Sequence, residues 1–102
     1  MKVNVITPVT LKSLLNDGED VQIVDIRESY ELEVDGKSES MHIPMGDLID
    51  RLDEIPKSDK IIFHCSSGNR SLNMMNFLLM NGFYRENFYH LEGGFQAWSK
   101  FI

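Results

Sequence analysis

Short apolar runs alternate along the chain with longer stretches in which apolar residues recur at helical spacing. The short runs are rich in β-branched and aromatic residues and predict strands over residues 3–6, 21–25, 61–63 and 88–91. The longer stretches predict helices over residues 11–15, 30–34, 47–55, 72–80 and 95–101. Strands that alternate with helices are joined by right-handed crossovers, which make neighbouring strands parallel. The pattern therefore predicts an α/β fold, with a mainly parallel central sheet covered by helices on both faces.

Capping and breaking residues mark the ends of several predicted helices. Thr7 or Thr10 can cap the first helix and Ser29 the second, because a hydroxyl oxygen accepts hydrogen bonds from the free amides of a helix start. Pro56 ends the helix predicted over residues 47–55, since proline has no amide hydrogen to continue it.

Composition and charge narrow the class of protein. The chain has 102 residues, 42% of them apolar, and this length predicts one domain over residues 1–102. A single cysteine cannot form an internal disulfide, and no apolar run suits a signal peptide or a membrane span. We therefore expect a cytoplasmic protein without a membrane partner. The net charge of −6 argues against nucleic acid as a partner and means that any anion site must act locally.

The segment over residues 60–71 places one thiol between a strand and a helix. Cys65 ends the strand, and the loop that follows consists of Ser66, Ser67, Gly68, Asn69, Arg70 and Ser71. Amides at a helix start lack carbonyl partners and the helix dipole is positive there, so a Cys65 thiolate should be stabilised and nucleophilic near neutral pH. Arg70 keeps its charge and presents a planar fork of donors to an oxyanion. We expect Cys65 to lie at the mouth of this site.

A purely structural interpretation of the same residues exists. A cysteine after an apolar strand is most often a small buried hydrophobe, and an arginine at a helix start is commonly solvated. The combination Cys-x-x-Gly-x-Arg-Ser between a strand and a helix favours a functional loop over that alternative.

This loop resembles the active-site loop of rhodanese-type sulfurtransferases, and three further segments resemble that family in the same order. They are Val24-Asp25-Ile26-Arg27-Glu28 with Glu31, His42-Ile43-Pro44, and Leu91-Glu92-Gly93-Gly94-Phe95-Gln96-Ala97-Trp98. The chain departs from the family where Met41 replaces a common glycine and Met45 follows Pro44. The resemblance spans nearly the whole chain and implies a single-domain rhodanese-like sulfurtransferase in which Cys65 is the catalytic residue.

Three polar residues outside the loop are candidates for a supporting role. Asp25 and Arg27 lie at the carboxyl end of a predicted strand, where α/β sheets bind ligands. They could form a structural ion pair or loop clasp, or they could support the loop that holds Cys65. The resemblance favours support over direct chemistry for Asp25, Arg27 and Glu31.

The histidines do not suggest a metal site or a base for the thiol. The three histidines and one cysteine are scattered, and no spacing resembles a zinc or iron site, so we predict no metal and no other cofactor. His64 directly precedes Cys65, and adjacent side chains on a strand point to opposite faces. We therefore expect His64 to be a satisfied, partly buried histidine.

The favoured function is that of a sulfurtransferase or persulfide carrier. Cys65 would take a sulfane sulfur from a small-molecule donor, thiosulfate or a persulfide, and pass it to cyanide or a thiol. The acceptor could also be a sulfur-relay or thioredoxin-like protein. Many thiosulfate-using relatives carry a basic residue directly after the cysteine, where this chain has Ser66, so the physiological donor stays open.

Two alternatives compete with this function. Cysteine-dependent phosphatases and arsenate reductases have a similar loop, but with five residues between cysteine and arginine where this chain has four. The shorter loop should be too small a cradle for phosphate. A non-enzymatic rhodanese-like interaction module is the second alternative, and the presence of Cys65 within its loop argues against it.

Overall fold

The computed structural model describes residues 2–102, in which strands and helices alternate. The strands are β1 (Asn4–Ile6), β2 (Val21–Asp25), β3 (Met41–His42), β4 (Lys60–His64) and β5 (Phe88–Leu91). The α-helices are α1 (Pro8–Asn16), α2 (Ser29–Asp35), α3 (Asn69–Met80) and α4 (Gly94–Trp98). Short 3₁₀ helices span Met45–Asp47, Ile49–Glu54 and Ser99–Phe101. Within residues 2–102 no helix is long and apolar enough to span a bilayer.

The five strands form one sheet in the order β1-β5-β4-β2-β3, and every pair is parallel. Parallel neighbours need crossover connections, which the intervening helices supply. β4 lies in the middle of the sheet, between β5 and β2. The residue that follows β4, Cys65, therefore emerges at the centre of the sheet's carboxyl edge.

Two hydrophobic cores cover the two faces of the sheet, as the sequence pattern predicts. The core on the α3 face contains Val24, Leu48, Leu52, Ile61, Phe63, Cys65, Met75, Leu78 and Phe88. The core on the face of α1 and α4 contains Ile6, Leu11, Ile23, Ile62, Leu91 and Trp98. Because side chains alternate along a strand, Phe63 and Cys65 turn toward α3, whereas Ile62 and His64 turn toward α4.

The start of α2 differs from the prediction. Glu28 occupies the capping position, and Ser29, the predicted cap, is the first residue of the helix. The Glu28 amide donates to the Glu31 carboxylate at 2.8 Å, so an acidic side chain within the helix reaches back to the capping residue. The start of α1 follows the prediction, since the Thr7 hydroxyl oxygen accepts a hydrogen bond from the Thr10 amide at 3.2 Å.

The helix predicted over residues 47–55 is present, but it is a 3₁₀ helix and not an α-helix. The segment forms the 3₁₀ helices Met45–Asp47 and Ile49–Glu54, and the Ile55 amide donates to the Leu52 carbonyl three residues earlier at 3.3 Å. A 3₁₀ helix has three residues per turn, which places Leu52 and Ile55 together against the core. The final helix is likewise α-helical only to Trp98 and continues as a 3₁₀ turn.

Candidate active site

The loop after β4 folds back so that backbone amides face the Cys65 sulfur. The Gly68 amide lies 3.1 Å from Sγ and the Ser71 amide 3.4 Å from it. Gly68 precedes the first residue of α3 with a φ of 104°, in the left-handed region that a side chain would strain. The predicted strand, tight loop and helix are therefore present, and two amide donors converge on the thiol.

The Cys65 thiol is fully buried, with 0% of the residue exposed, and packs with the α3-side core. The expectation that Cys65 lies at the mouth of the site is wrong. Alternation along β4 turns it inward with Phe63, and the loop closes over it. A reagent or substrate must therefore reach the sulfur past the loop residues.

Ser71 and His90 extend the polar contacts of the thiol. The Ser71 hydroxyl oxygen lies 3.6 Å from Cys65 Sγ, 3.2 Å from the Gly68 carbonyl oxygen and 2.7 Å from His90 Nδ1. His90 is only 5% exposed, and burial lowers its pKa although the charge of Glu92 acts in the opposite direction. His90 is therefore neutral at neutral pH.

Sequence reasoning missed His90 as a neighbour of the site. The strand pattern indicates the face on which His90 lies, because Phe88 and His90 alternate with Tyr89 along β5 and therefore share one face of the sheet. In the parallel register His90 is opposite Phe63, which shares the face of Cys65. The adjacency of β4 and β5, however, follows from the tertiary fold and not from their order in the chain.

Arg70 is held by Glu31. Its Nη1 and Nη2 donate to the two carboxylate oxygens of Glu31 at 2.7 and 2.6 Å, and 34% of the arginine side chain is exposed. The hydrogen bonds from Arg70 lower the pKa of Glu31 to about 2, and the pair raises that of Arg70. The end of the guanidinium fork is thus occupied by Glu31, whereas the sequence suggested a fork open to an oxyanion.

The N-terminus of α4 fixes the carbonyl side of the loop. The Phe95 amide donates to the Cys65 carbonyl at 2.7 Å and the Gln96 amide to the Ser66 carbonyl at 2.9 Å. A Cβ on Gly94 would lie 2.6 Å from each of those two carbonyl oxygens. These contacts fix the first residues of the loop against α4, and only glycine fits at residue 94.

Asp25 and Arg27 form a buried ion pair on the sheet face opposite Cys65. Arg27 Nη2 donates to Asp25 at 2.8 Å, both side chains are fully buried, and the guanidinium lies 4.1 Å from the centre of the Phe95 ring. Burial acts to raise the pKa of Asp25, but the hydrogen bonds and the charge of Arg27 act in the opposite direction, and the pKa is lowered. The pair therefore contacts Phe95, the residue that holds the Cys65 carbonyl.

His64 belongs to this second network and not to the thiol. Its Nε2 lies 2.9 Å from the Ser38 hydroxyl and its Nδ1 3.1 Å from the Cys65 carbonyl oxygen. Burial lowers the pKa of His64, with the Asp25 charge acting in the opposite direction. The prediction that His64 points away from the Cys65 side chain is confirmed, although the residue is fully buried.

The remaining loop side chains lie at the surface. Ser67 and Asn69 are exposed, and Ser66 is half-buried with its hydroxyl 3.3 Å from Gln96 Nε2. A cavity of about 230 Å³ borders Ser66, Phe95 and Gln96. A larger cavity, about 790 Å³, lies elsewhere, between α1, β2 and α4. Over residues 2–102 no three His, Cys, Asp or Glu side chains are grouped to hold a metal ion.

Comparison with known proteins gives a consistent picture. Residues 7–101 match the Rhodanese-like domain family. The chain is 35% identical over 98 residues to a protein named Sulfurtransferase from Allochromatium vinosum, with 96% of this chain and 90% of that protein covered.

Two solved structures share the fold over most of their length. One is a rhodanese-like domain protein from Staphylococcus aureus, with a TM-score of 0.75, 33% identity, and coverage of 96% of this chain and 91% of that chain. The other, from Rhodopseudomonas palustris, is described as a protein of unknown function and a possible tyrosine phosphatase, with a TM-score of 0.78, 30% identity, and coverage of 96% and 80%. Since the family match extends over almost the entire chain, this protein belongs to the rhodanese-like domain family.

Proposed function

We propose that this protein is a sulfurtransferase that carries sulfane sulfur as a persulfide on Cys65. The observation that carries the proposal is the convergence of the Gly68 and Ser71 amides on Cys65 Sγ, at 3.1 and 3.4 Å. Two N–H donors stabilise negative charge on sulfur, on the thiolate before transfer and on the persulfide after it. The relative named Sulfurtransferase supports the same activity.

The proposed reaction is a double displacement. The Cys65 thiolate attacks the outer sulfur of thiosulfate or of a persulfide, a new S–S bond forms, and the donor's own S–S bond breaks. The leaving group, sulfite or a thiolate, takes the bonding electron pair. Cyanide, a small thiol or the thiol of a sulfur-relay or thioredoxin-like protein then attacks the outer sulfur and releases the Cys65 thiolate. Sulfur moves as a neutral atom, so the cycle needs no external oxidant or reductant.

The other predicted site residues have supporting roles in this proposal. Ser66, Ser67 and Asn69 form the rim that a donor passes, and Gly68 and Ser71 supply the amides. Arg70 contributes positive charge near the sulfur while Glu31 fixes its position. Asp25 and Arg27 hold the loop from the opposite face through Phe95.

The shape of the site favours a terminal sulfur over a phosphate ester. Four residues separate Cys65 from Arg70, and Glu31 already occupies the end of the arginine fork that a phosphate would bind. The sulfur of Cys65 is buried, which suits the slender outer sulfur of thiosulfate or a persulfide. These features favour sulfur transfer over the phosphatase or arsenate reductase alternative.

Intact-protein mass after treatment with thiosulfate and, separately, with a small-molecule persulfide tests the proposal. We expect a species heavier by one sulfur atom, which cyanide or a small thiol removes. Cys65→Ser should abolish the added mass, because an alcohol in this site stays protonated and forms no persulfide. Cys65→Ala is the matched control for loss of the sulfur without a new hydroxyl. No added sulfur from either donor, together with hydrolysis of an aryl phosphate, would show that the proposal is wrong.

A further inference from the structure

A fully buried thiol can exchange its proton only through polar atoms that touch it. Over residues 2–102, Cys65 Sγ has three hydrogen-bonding neighbours, the amides of Gly68 and Ser71 and the hydroxyl of Ser71. The two amides are donors and cannot accept a proton. The Ser71 oxygen is therefore the only one of these atoms that can receive the thiol proton.

The Ser71 hydroxyl has two further neighbours, and only one of them can hold a proton. The Gly68 carbonyl oxygen lies at 3.2 Å, and a peptide carbonyl is not protonated near neutral pH. His90 Nδ1 lies closer, at 2.7 Å, and an unprotonated imidazole nitrogen accepts a hydrogen bond and then a proton. The three side chains thus form one path from the sulfur to a titratable group.

We propose that His90 is the proton partner of Cys65, acting as a positioning residue through Ser71; the role rests on the proposed sulfur transfer. The thiol proton passes to Ser71 Oγ while the hydroxyl proton of Ser71 passes to His90 Nδ1. The S–H bond breaks, an N–H bond forms, and the products are a thiolate and an imidazolium. The reverse transfer restores the thiol when Cys65 carries no persulfide sulfur.

The surroundings of His90 suit this exchange. Burial keeps the imidazole neutral before the transfer. The charge of Glu92, two residues further along the chain and just after β5, favours the protonated form once His90 has received the proton. Among the charged groups on neighbouring elements, Arg70 on α3 is turned to Glu31, and His64 on β4 lies on the opposite face of the sheet. Val5, opposite His90 on β1, carries no charge. Besides Glu92, the charge that acts on His90 is therefore that of the Cys65 thiolate, which reaches it through Ser71.

Alkylation by iodoacetamide across pH tests the proposal without requiring sulfur transfer. The reagent is uncharged, so its rate reports how much thiolate is present at each pH. Transfer to His90 makes an internal ion pair without loss of a proton to solvent. In the natural protein we therefore expect the alkylation rate to be independent of pH between about pH 6 and 8, as a shoulder in the rate profile. His90→Asn keeps a hydrogen-bonding group but cannot hold the proton. In this variant the shoulder should disappear, and the alkylation rate at pH 7 should fall about tenfold, which is equivalent to displacing the rate profile by one pH unit. The rate should recover at alkaline pH.

Variants of the relay and a matched control separate this role from a structural one. Ser71→Ala should lose the shoulder as His90→Asn does, whereas Ser71→Thr keeps a hydroxyl and should keep the shoulder. The double variant Ser71→Ala/His90→Asn should be alkylated no more slowly than either single variant, because both changes interrupt the same path. His42→Asn, which removes a half-buried histidine on β3, should leave the shoulder unchanged. Superimposable profiles for the natural protein and His90→Asn, or an equal loss at every pH, would overturn the proposal. A shoulder lost in His90→Asn with no persulfide in the natural protein would leave the proton path standing and reject the sulfur transfer.

Discussion

At the residue scale, the positive charge of Arg70 in the Cys65 loop is paired with the carboxylate of Glu31. Two hydrogen bonds join Arg70 to Glu31, and the pKa of Glu31 falls from an ordinary 4.5 to about 2. The folded carboxylate therefore binds its proton less tightly than the unfolded one does. The pair stabilises the fold fully above pH 4.5, and its contribution is lost as the pH falls through about 2.

Glu31→Gln should therefore destabilise the fold in a pH-dependent way. We expect a loss of about 1 kcal/mol at pH 7, at the upper end for a partly exposed pair because the geometry is bidentate, and almost none near pH 2. Urea unfolding at the two pH values measures the difference. The Arg51–Glu54 pair is the matched control, since it is more exposed, and Glu54→Gln should cost less at pH 7. An equal cost for Glu31→Gln at both pH values would contradict an electrostatic role.

At the element scale, the loop and α4 depend on each other through backbone contacts. The amides at the start of α4 hold the carbonyls of Cys65 and Ser66, and the approach is close enough that residue 94 can have no side chain. The carbonyls that accept hydrogen bonds from α4 belong to Cys65 and Ser66, and the amides that face the sulfur belong to Gly68 and Ser71, within the same short loop. The orientation of the loop is therefore set as much by α4 as by α3.

Gly94→Ala should disrupt both stability and sulfur loading. Its Cβ would meet two carbonyl oxygens at 2.6 Å, so the loop or α4 must move. Gly82→Ala is the matched control, because Gly82 also has a positive φ, of 79°, but its Cβ would meet nothing within 4 Å. We expect Gly94→Ala to cost at least about 2 kcal/mol more than Gly82→Ala in urea unfolding, as strain plus steric overlap exceeds strain alone. Similar costs, with sulfur loading kept in both variants, would show that the contact is not critical.

Periodicity predicts the elements where local pattern and burial agree. The bounds of β2 and β5 match the predicted strands, since short runs of β-branched and aromatic residues suit a buried strand. The segment over residues 47–55 has apolar spacing that both an α-helix and a 3₁₀ helix satisfy, and core packing decides between them. The cap of α2 depends on how far Glu31 reaches, which local propensity does not describe.

At the scale of the whole molecule, the sheet separates the thiol from its buried ion pair. Cys65, Ser71 and His90 lie on the α3 face, and Asp25, Arg27 and His64 on the α4 face. The sequence predicts most of these residues as members of one site, because strand order and loop spacing locate the carboxyl edge of the sheet. Strand alternation predicts that His64 and Cys65 lie on opposite faces. The sequence does not predict the face of the other residues, the burial of Cys65 or the pairing of β4 with β5, because these follow from tertiary packing.

Each face thus contains one buried histidine, and the two together should make stability depend on pH. Burial lowers the pKa of both His64 and His90 below the ordinary value of 6.5, so the folded state binds fewer protons than the unfolded state as the pH falls. Stability should be full above pH 6.5 and should decline below it, with each histidine contributing at most about 1.4 kcal/mol per pH unit. Urea unfolding between about pH 7.5 and 5 measures this slope, in a range where exposed carboxylates stay ionised. His90→Asn should lose about half of the slope, because it removes one of the two histidines that the folded state keeps neutral. A stability that stays constant or rises from pH 7.5 to 5 would mean that the folded protein accepts these protons, and the neutral state of both buried imidazoles would have to be abandoned.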